Sequence, residues 1–241
     1  MNIRRLSSLL LFLMSLSLFS QSRMDRPKLV VGIVVDQMRW DYLYRYYDRY
    51  NNGGFKRLLN EGFSCENTML NYVPSYTAIG HSTIYTGSVP SIHGIAGNDF
   101  TVQATGQSLY CTQDDNVQSV GTADKNAKAG KMSPFNLKAT TITDELKLAT
   151  NFRSKVIGVS IKDRGSILPA GHSADAAYWF DGESGNWISS TWYMQQLPKW
   201  LVDFNNKKQA QKYLEQDWNT LYPIDTYVQS TKDDNVYEDT Y

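Results

Sequence analysis

Apolar positions fall along this chain in two rhythms. "KLVVGIVVD" (28–36) is a nearly unbroken apolar run that stops at Asp36, and "KVIGVSIK" (155–162) is a second. Runs of Val and Ile without polar alternation predict strands buried on both faces, as in a parallel sheet. "FSCENTML" (63–70) predicts a further strand. Helical spacing runs from Tyr42 to Leu59, broken at Asn51, Asn52, Gly53 and Gly54. Ala78 to Thr86 reads as a short helix with Thr77 as N-cap, and it stops at Gly87. Thr143-Asp144-Glu145 opens another helix running to about Ala149, and a last one covers roughly Pro198 to Leu221. Residues 101–135 are polar and punctuated by Gly and Asp, which predicts loops or a small hairpin. "AAYWFDGESGNWISSTWY" (176–193) predicts a hairpin joined through Gly182 and Gly185. Alternation of buried strands with helices predicts an α/β sheet of the doubly wound kind.

The first residues follow neither rhythm. Arg4 and Arg5 precede an apolar run from Leu9 to Phe19, followed by Ser20, Gln21 and Ser22. That is the layout of a secretory signal, with an apolar stretch too short to span a bilayer. Residues 1–22 are therefore expected to be a signal peptide and 23–241 the folded portion, exported to the periplasm or beyond without a stable membrane anchor. The 241 residues are 41% hydrophobic, enough for a core, and the formal net charge is zero. A neutral chain has no bulk electrostatic reason to bind nucleic acid or anionic membranes. Export puts Cys65 and Cys111 in an oxidising compartment, where one disulfide between them or two separately buried thiols are both open.

Candidate chemistry gathers where predicted strands end. In open α/β sheets ligands bind beyond the carboxyl ends of the strands. Asp36 ends the first strand, while Lys162 and Arg164 end the later one. Between them stands "NYVPSYTAIGHSTIYTGSVPSIHG" (71–94), with Thr77 at the mouth of a helix whose free N–H groups favour an anion. Ala78, Ile79 and Gly80 add little bulk, and Gly80 suggests close approach of some group. A hydroxyl needs a base or a metal to become a nucleophile. Asp36 could ligate a divalent ion that also takes the Thr77 oxygen. Lys162 and Arg164 could neutralise a phosphate dianion, and Asn98 could donate to a further oxygen. Taken singly, each residue has a plainer role: a helix cap, a loop start, a solvated turn.

Together, "VVDQMRWDYL", "NYVPSYTAIGHSTIYTGSVPSIHGIAGNDF" and "SIKDRGSI" resemble the alkaline phosphatase superfamily. The likeness is strongest to secreted bacterial phosphate-irrepressible alkaline phosphatases with a threonine nucleophile. The resemblance implies an alkaline-phosphatase-like mixed sheet flanked by helices and a site for two Zn2+ ions. It implies that Thr77 is a nucleophile that becomes phosphothreonine, that Asp36 and Thr77 are zinc ligands, and that Asn98, Lys162 and Arg164 hold phosphoryl oxygens. Small-molecule phosphate monoesters are then the expected substrates, with no nucleic-acid partner. Members of that group are longer and draw further ligands from a second half, so this chain reads as an N-terminal portion, incomplete at the C-terminus. His81, four residues beyond Thr77, reads as packed and hydrogen-bonded rather than ligating, and His93 and His172 as loop structure. Two other readings stay open: a nucleotide pyrophosphatase or phosphodiesterase of the same superfamily, and a non-catalytic fragment. Threonine at the nucleophile position argues against a sulfatase.

Overall fold

A computed structural model describes residues 27–231, 235 and 236. The expected signal peptide lies outside the described residues. Contacts divide the chain between Val35 and Asp36. Of the first unit, residues 27–35 are described, and they form no strand. Leu29, Val30, Val31 and Ile33 are each more than two-thirds exposed. The expectation of a doubly buried strand fails here because such a strand needs ladder neighbours and a layer on each face, and no described strand pairs with it.

The second unit opens with α1 (Tyr42–Arg45), a 3-10 turn (Tyr47–Arg49) and α2 (Gly54–Glu61), so the predicted helical stretch does break near Gly53. Residues 63–70 form no strand; Phe63 and Met69 are exposed, and the polar Glu66-Asn67-Thr68 interrupts any apolar face. Next come α3 (Thr77–Thr86), α4 (Pro90–His93) and an antiparallel hairpin of β1 (Asp99–Val102) with β2 (Gln107–Tyr110). After β3 (Ser119–Val120) follow α5 (Ile142–Ala149), β4 (Ile157–Ser160), α6 (Asp163–Ala170), β5 (Ala176–Asp181) and β6 (Asn186–Ser190). The chain continues through α7 (Lys199–Asn205) and α8 (Gln209–Leu214). The single helix expected for 198–221 is split because Lys208 takes a left-handed conformation, φ 49°.

Strands β3–β6–β5–β4 lie side by side in one sheet. Only β4 and β5 are parallel, joined by the α6 crossover; β5/β6 and β6/β3 are antiparallel. The sheet is therefore mixed and flanked by helices, as the family resemblance implies, and not the doubly wound sheet that strand–helix alternation alone predicts, because the Gly182–Gly185 turn sends the chain straight back beside β5. Alternate residues of β5 face opposite layers, as the strand period of two requires. Ala177 and Trp179 pack with Ile167 and Ala170 of α6, while Ala176 and Tyr178 pack with Leu201 of α7. Gly158 lets β4 and α6 come together, since a Cβ there would overlap the Ser166 carbonyl. The other side of α6 carries Leu168, which joins Ala78 of α3, Ile95, Cys111 and Leu137 in a separate buried cluster. Helices α3 and α6 thus pack together at one face of the sheet, which fixes where their N-termini lie.

Candidate functional site

Helix α3 begins one residue earlier than the sequence implies. Tyr76, extended at φ −62° and ψ 163°, is the N-cap and makes no side-chain cap. Thr77 is the first helical residue, so its hydroxyl is not spent on the helix. It donates instead to Asp36 Oδ2 at 2.8 Å. Capping falls to Asn98, whose Oδ1 accepts the Ala78 N–H at 3.0 Å. Among the described residues the Asn98 Nδ2 donors have no partner at the same helix end. Asp36 is itself held by a tight turn: its Oδ1 accepts the Gln37 N–H at 2.9 Å, and Gln37 sits at φ 58°. A non-glycine residue there costs about 1–2 kcal/mol, a strain often found at functional sites. The Gly80 expectation is not met within the chain, since no described atom would lie within 4 Å of a Cβ at that position.

The second half of the site is the start of α6. Lys162 is its N-cap and exposed; its carbonyl accepts the Gly165 and Ser166 N–H groups, but among the described residues its side chain makes no hydrogen bond or ion pair. Arg164 is half-buried and donates from Nη1 to the Tyr110 hydroxyl at 2.9 Å. Tyr110 in turn donates to Asp163 Oδ1 at 2.8 Å, and Thr112 Oγ1 donates to Asp163 Oδ2 at 2.5 Å. Burial works against the Arg164 charge, but the Tyr110 hydrogen bond and the nearby Asp163 outweigh it and raise its pKa. Sequence reasoning missed Tyr110, Thr112 and Asp163. Only the β2 assignment placed Tyr110 at the end of an element, and nothing in spacing linked it to Arg164.

His81 and His172 sit as expected, whereas His93, expected in a loop, ends helix α4. His81 is buried and its Nδ1–H donates to the Thr77 carbonyl at 2.7 Å, back along its own helix. His93 accepts the Ile95 N–H on Nδ1 at 3.2 Å, so its proton sits on Nε2 and points to Thr83 Oγ1; burial lowers its pKa. His172 faces two acceptors, Asp144 Oδ2 at 3.3 Å and the Leu137 carbonyl at 2.9 Å. The two cysteines are corrected from a possible disulfide to free thiols. Cys65 is exposed, whereas Cys111 is sealed in the α3–α6 cluster, where burial pushes its thiol up to about 12.

Asp36 and Thr77 offer two hard oxygen donors 2.8 Å apart, which fits one edge of a divalent-ion shell. Among the described residues no group of three or more His, Cys, Asp or Glu converges. These residues fit part of such a shell but do not complete a zinc site, which takes about three protein ligands per ion.

Comparison with known proteins gives the chain its family. Residues 30–239 match the family described as type I phosphodiesterase / nucleotide pyrophosphatase. A calcium-transporting ATPase of Myroides odoratus is 67% identical over 227 residues, 94% of this chain and 41% of that protein. Alkaline phosphatase PhoV of Synechococcus elongatus is 61% identical over 225 residues, 93% and 40% of the two chains. Alkaline phosphatase PafA of Elizabethkingia meningoseptica is 59% identical over 213 residues, 88% and 39%. The crystal structure of wild-type PafA superposes with a TM-score of 0.86 at 59% identity, covering 89% of this chain and 41% of that one. This chain therefore spans about two fifths of the length of the relatives it matches.

Proposed function

We propose that this chain, which belongs to the type I phosphodiesterase / nucleotide pyrophosphatase family of the alkaline phosphatase superfamily, supplies the nucleophile and the phosphate-binding side of a phosphomonoesterase. The observation that carries the reading is the Thr77 hydroxyl, held by Asp36 at a helix end shared with the Asn98 amide. A crystallised variant of PafA substituted at a threonine, an asparagine, a lysine and an arginine repeats the types and order of Thr77, Asn98, Lys162 and Arg164, with the same threonine–asparagine and lysine–arginine spacings but an asparagine–lysine interval two residues shorter. Residues 23–241 are then the N-terminal portion of the domain, residues 1–22 export it, and zinc is the expected cofactor.

In this mechanism Thr77 Oγ attacks the phosphorus of a small phosphate monoester. A Thr–O–P bond forms, the P–O bond to the alcohol breaks, and water later cleaves the phosphothreonine to release phosphate. The hydroxyl proton is aimed at Asp36, which leaves the oxygen lone pairs turned toward the helix end. A carboxylate is too weak a base to ionise an aliphatic hydroxyl unaided. A divalent ion bound at Asp36 and Thr77 would supply the missing Lewis acidity. Lys162, Arg164 and Asn98 would take the phosphoryl oxygens, with the free N–H groups of α3 beneath them.

The test is hydrolysis of p-nitrophenyl phosphate by the purified chain with added zinc, beside Thr77→Ala, with radiolabelled phosphate to trap the intermediate. We expect turnover and label to vanish together in the variant. Label on another residue, or undiminished turnover, would sink the assignment of Thr77.

The family description itself favours a second reading, a phosphodiesterase. A monoester dianion repays two cations, and each charge-assisted hydrogen bond is worth about 1.5–3 kcal/mol. A diester carries one charge and an extra group to accommodate. Lys162→Ala should therefore cut monoester turnover roughly tenfold more than diester turnover. Equal losses would favour the diesterase. The name of the Myroides relative points to an ATPase; the terminal phosphate of ATP presents similar oxygens, so ATP belongs in the same assay.

A further inference from the structure

Arg164 is one of the two cations on which phosphate recognition rests in the reading above, yet among the described residues its side chain has a single protein partner. That partner is a neutral phenol, not the adjacent carboxylate. Among the described residues Arg164 makes no ion pair, although Asp163 is its neighbour in sequence. Asp163 points the other way and accepts from Thr112 and Tyr110. Because the Tyr110 proton is committed to Asp163, the phenol oxygen can only accept from Arg164. The polarity of the relay is thereby set: Thr112 to Asp163, Tyr110 to Asp163, Arg164 to Tyr110.

The backbone brings this relay to the anion end of α3. Asp99 pairs with Tyr110 across the β1–β2 ladder, and the Cys111 N–H donates to the Asn98 carbonyl at 2.8 Å. One hairpin therefore carries Asn98, which caps α3, and Tyr110, which grips Arg164. The two anion-binding groups are tied together by a short rigid element, not by long side chains.

We propose that Tyr110 is the positioning residue for Arg164, a neutral spacer that orients the guanidinium through Nη1 while keeping the Asp163 charge from neutralising it. The proposal rests on Arg164 as a phosphate ligand. A direct Asp163–Arg164 pair would hold the guanidinium equally well but would cancel much of its charge. A phenol holds it without that cancellation. Burial and the Asp163 charge raise the Tyr110 pKa, so the phenol keeps its proton, and its polarity, in alkaline solution.

The experiment uses the chain labelled with 15N, in buffer with zinc. Rotation of the Arg164 guanidinium is measured by 15N exchange, with free 15N-arginine in the same buffer as the freely rotating reference, and orthophosphate affinity is measured by titration. In Tyr110→Phe, rotation should accelerate about tenfold and phosphate affinity should fall about tenfold, the worth of one lost charge-assisted bond. On an Arg164→Ala background, Tyr110→Phe should change phosphate affinity no further, which a merely structural tyrosine would not predict. Asp163→Asn serves as the second variant: its amide can donate to the phenol oxygen, release the phenol polarity, and produce the same gain in rotation. Arg164 rotating as freely as free arginine in the unaltered chain overturns the proposal, as does unchanged rotation in both variants. Restricted rotation lost in Tyr110→Phe, with phosphate affinity indifferent to Arg164→Ala, overturns the phosphate reading instead.

Discussion

Asn98 does two jobs with one side chain, and the two can be separated. Its Oδ1 caps α3 through Ala78, a contribution of about 1 kcal/mol. Its Nδ2 is the donor assigned to phosphate. Asn98→Asp keeps an acceptor for the Ala78 N–H and suits the positive end of the helix. It removes the donor and places a negative charge where an anion should sit. We expect unchanged or raised thermal stability together with loss of orthophosphate affinity and turnover. A variant that still binds phosphate would show that the amide serves the helix alone. Thr77 makes the complementary point: its hydroxyl is available because Asn98, not Thr77, satisfies the helix end.

At the scale of elements, α5 is fastened at both ends by buried charge. Thr141 and Asp144 form a capping box, and Asp144 also accepts the His172 and Ser173 N–H groups at 3.2 and 2.7 Å. Burial would raise the Asp144 carboxyl, but hydrogen bonds from His172, Thr141 and Ser173 outweigh it and hold it well below the usual range. At the other end Lys147 is buried against Asp175 Oδ2 at 2.8 Å, and Asp175 also receives the Val156 N–H, which joins α5 to the approach to β4. The same contacts give a pH dependence. His172 lies between two acceptors, so its protonated form is the one that satisfies both, and the Asp144 hydrogen bond raises its pKa above 6.5. That stabilisation is complete below pH 6.5 and fades as pH rises through the elevated folded value. The melting-temperature gap between the unaltered chain and His172→Gln should therefore narrow from acidic to alkaline buffer. A gap that widens toward alkaline pH would contradict the charged state of His172.

For the whole molecule, the decisive feature is apolar surface without a covering layer. Ile157, Val159 and Ile161 share one face of the β4 segment and are each at least 60% exposed. Strand β4 is also an edge of its sheet among the described residues. An exposed, apolar edge strand is a template for pairing with another chain. We expect concentration-dependent self-association of the isolated chain in sedimentation velocity, suppressed in Val159→Lys. A monomer at every concentration would remove this edge as an association surface. The same face explains a misreading: "KVIGVSIK" was expected to be buried on both sides, yet only its Gly158 and Ser160 side meets a helix.

What the sequence determined by itself is local. Helix α3 and its stop at Gly87, the start of α5 near Thr143 and the hairpin over 176–193 follow from short-range pattern, while three linked motifs mark Asp36, Thr77, Asn98, Lys162 and Arg164 as candidates. Each of those elements depends on hydrogen bonds or turn preferences within a few residues. Tertiary structure decided the rest. The Thr77–Asp36, Ala78–Asn98 and Arg164–Tyr110 contacts span 41, 20 and 54 positions. It likewise left both cysteines free and, among the described residues, 28–35 without a strand partner. Contacts across such separations depend on which layers pack together, and no local preference records that.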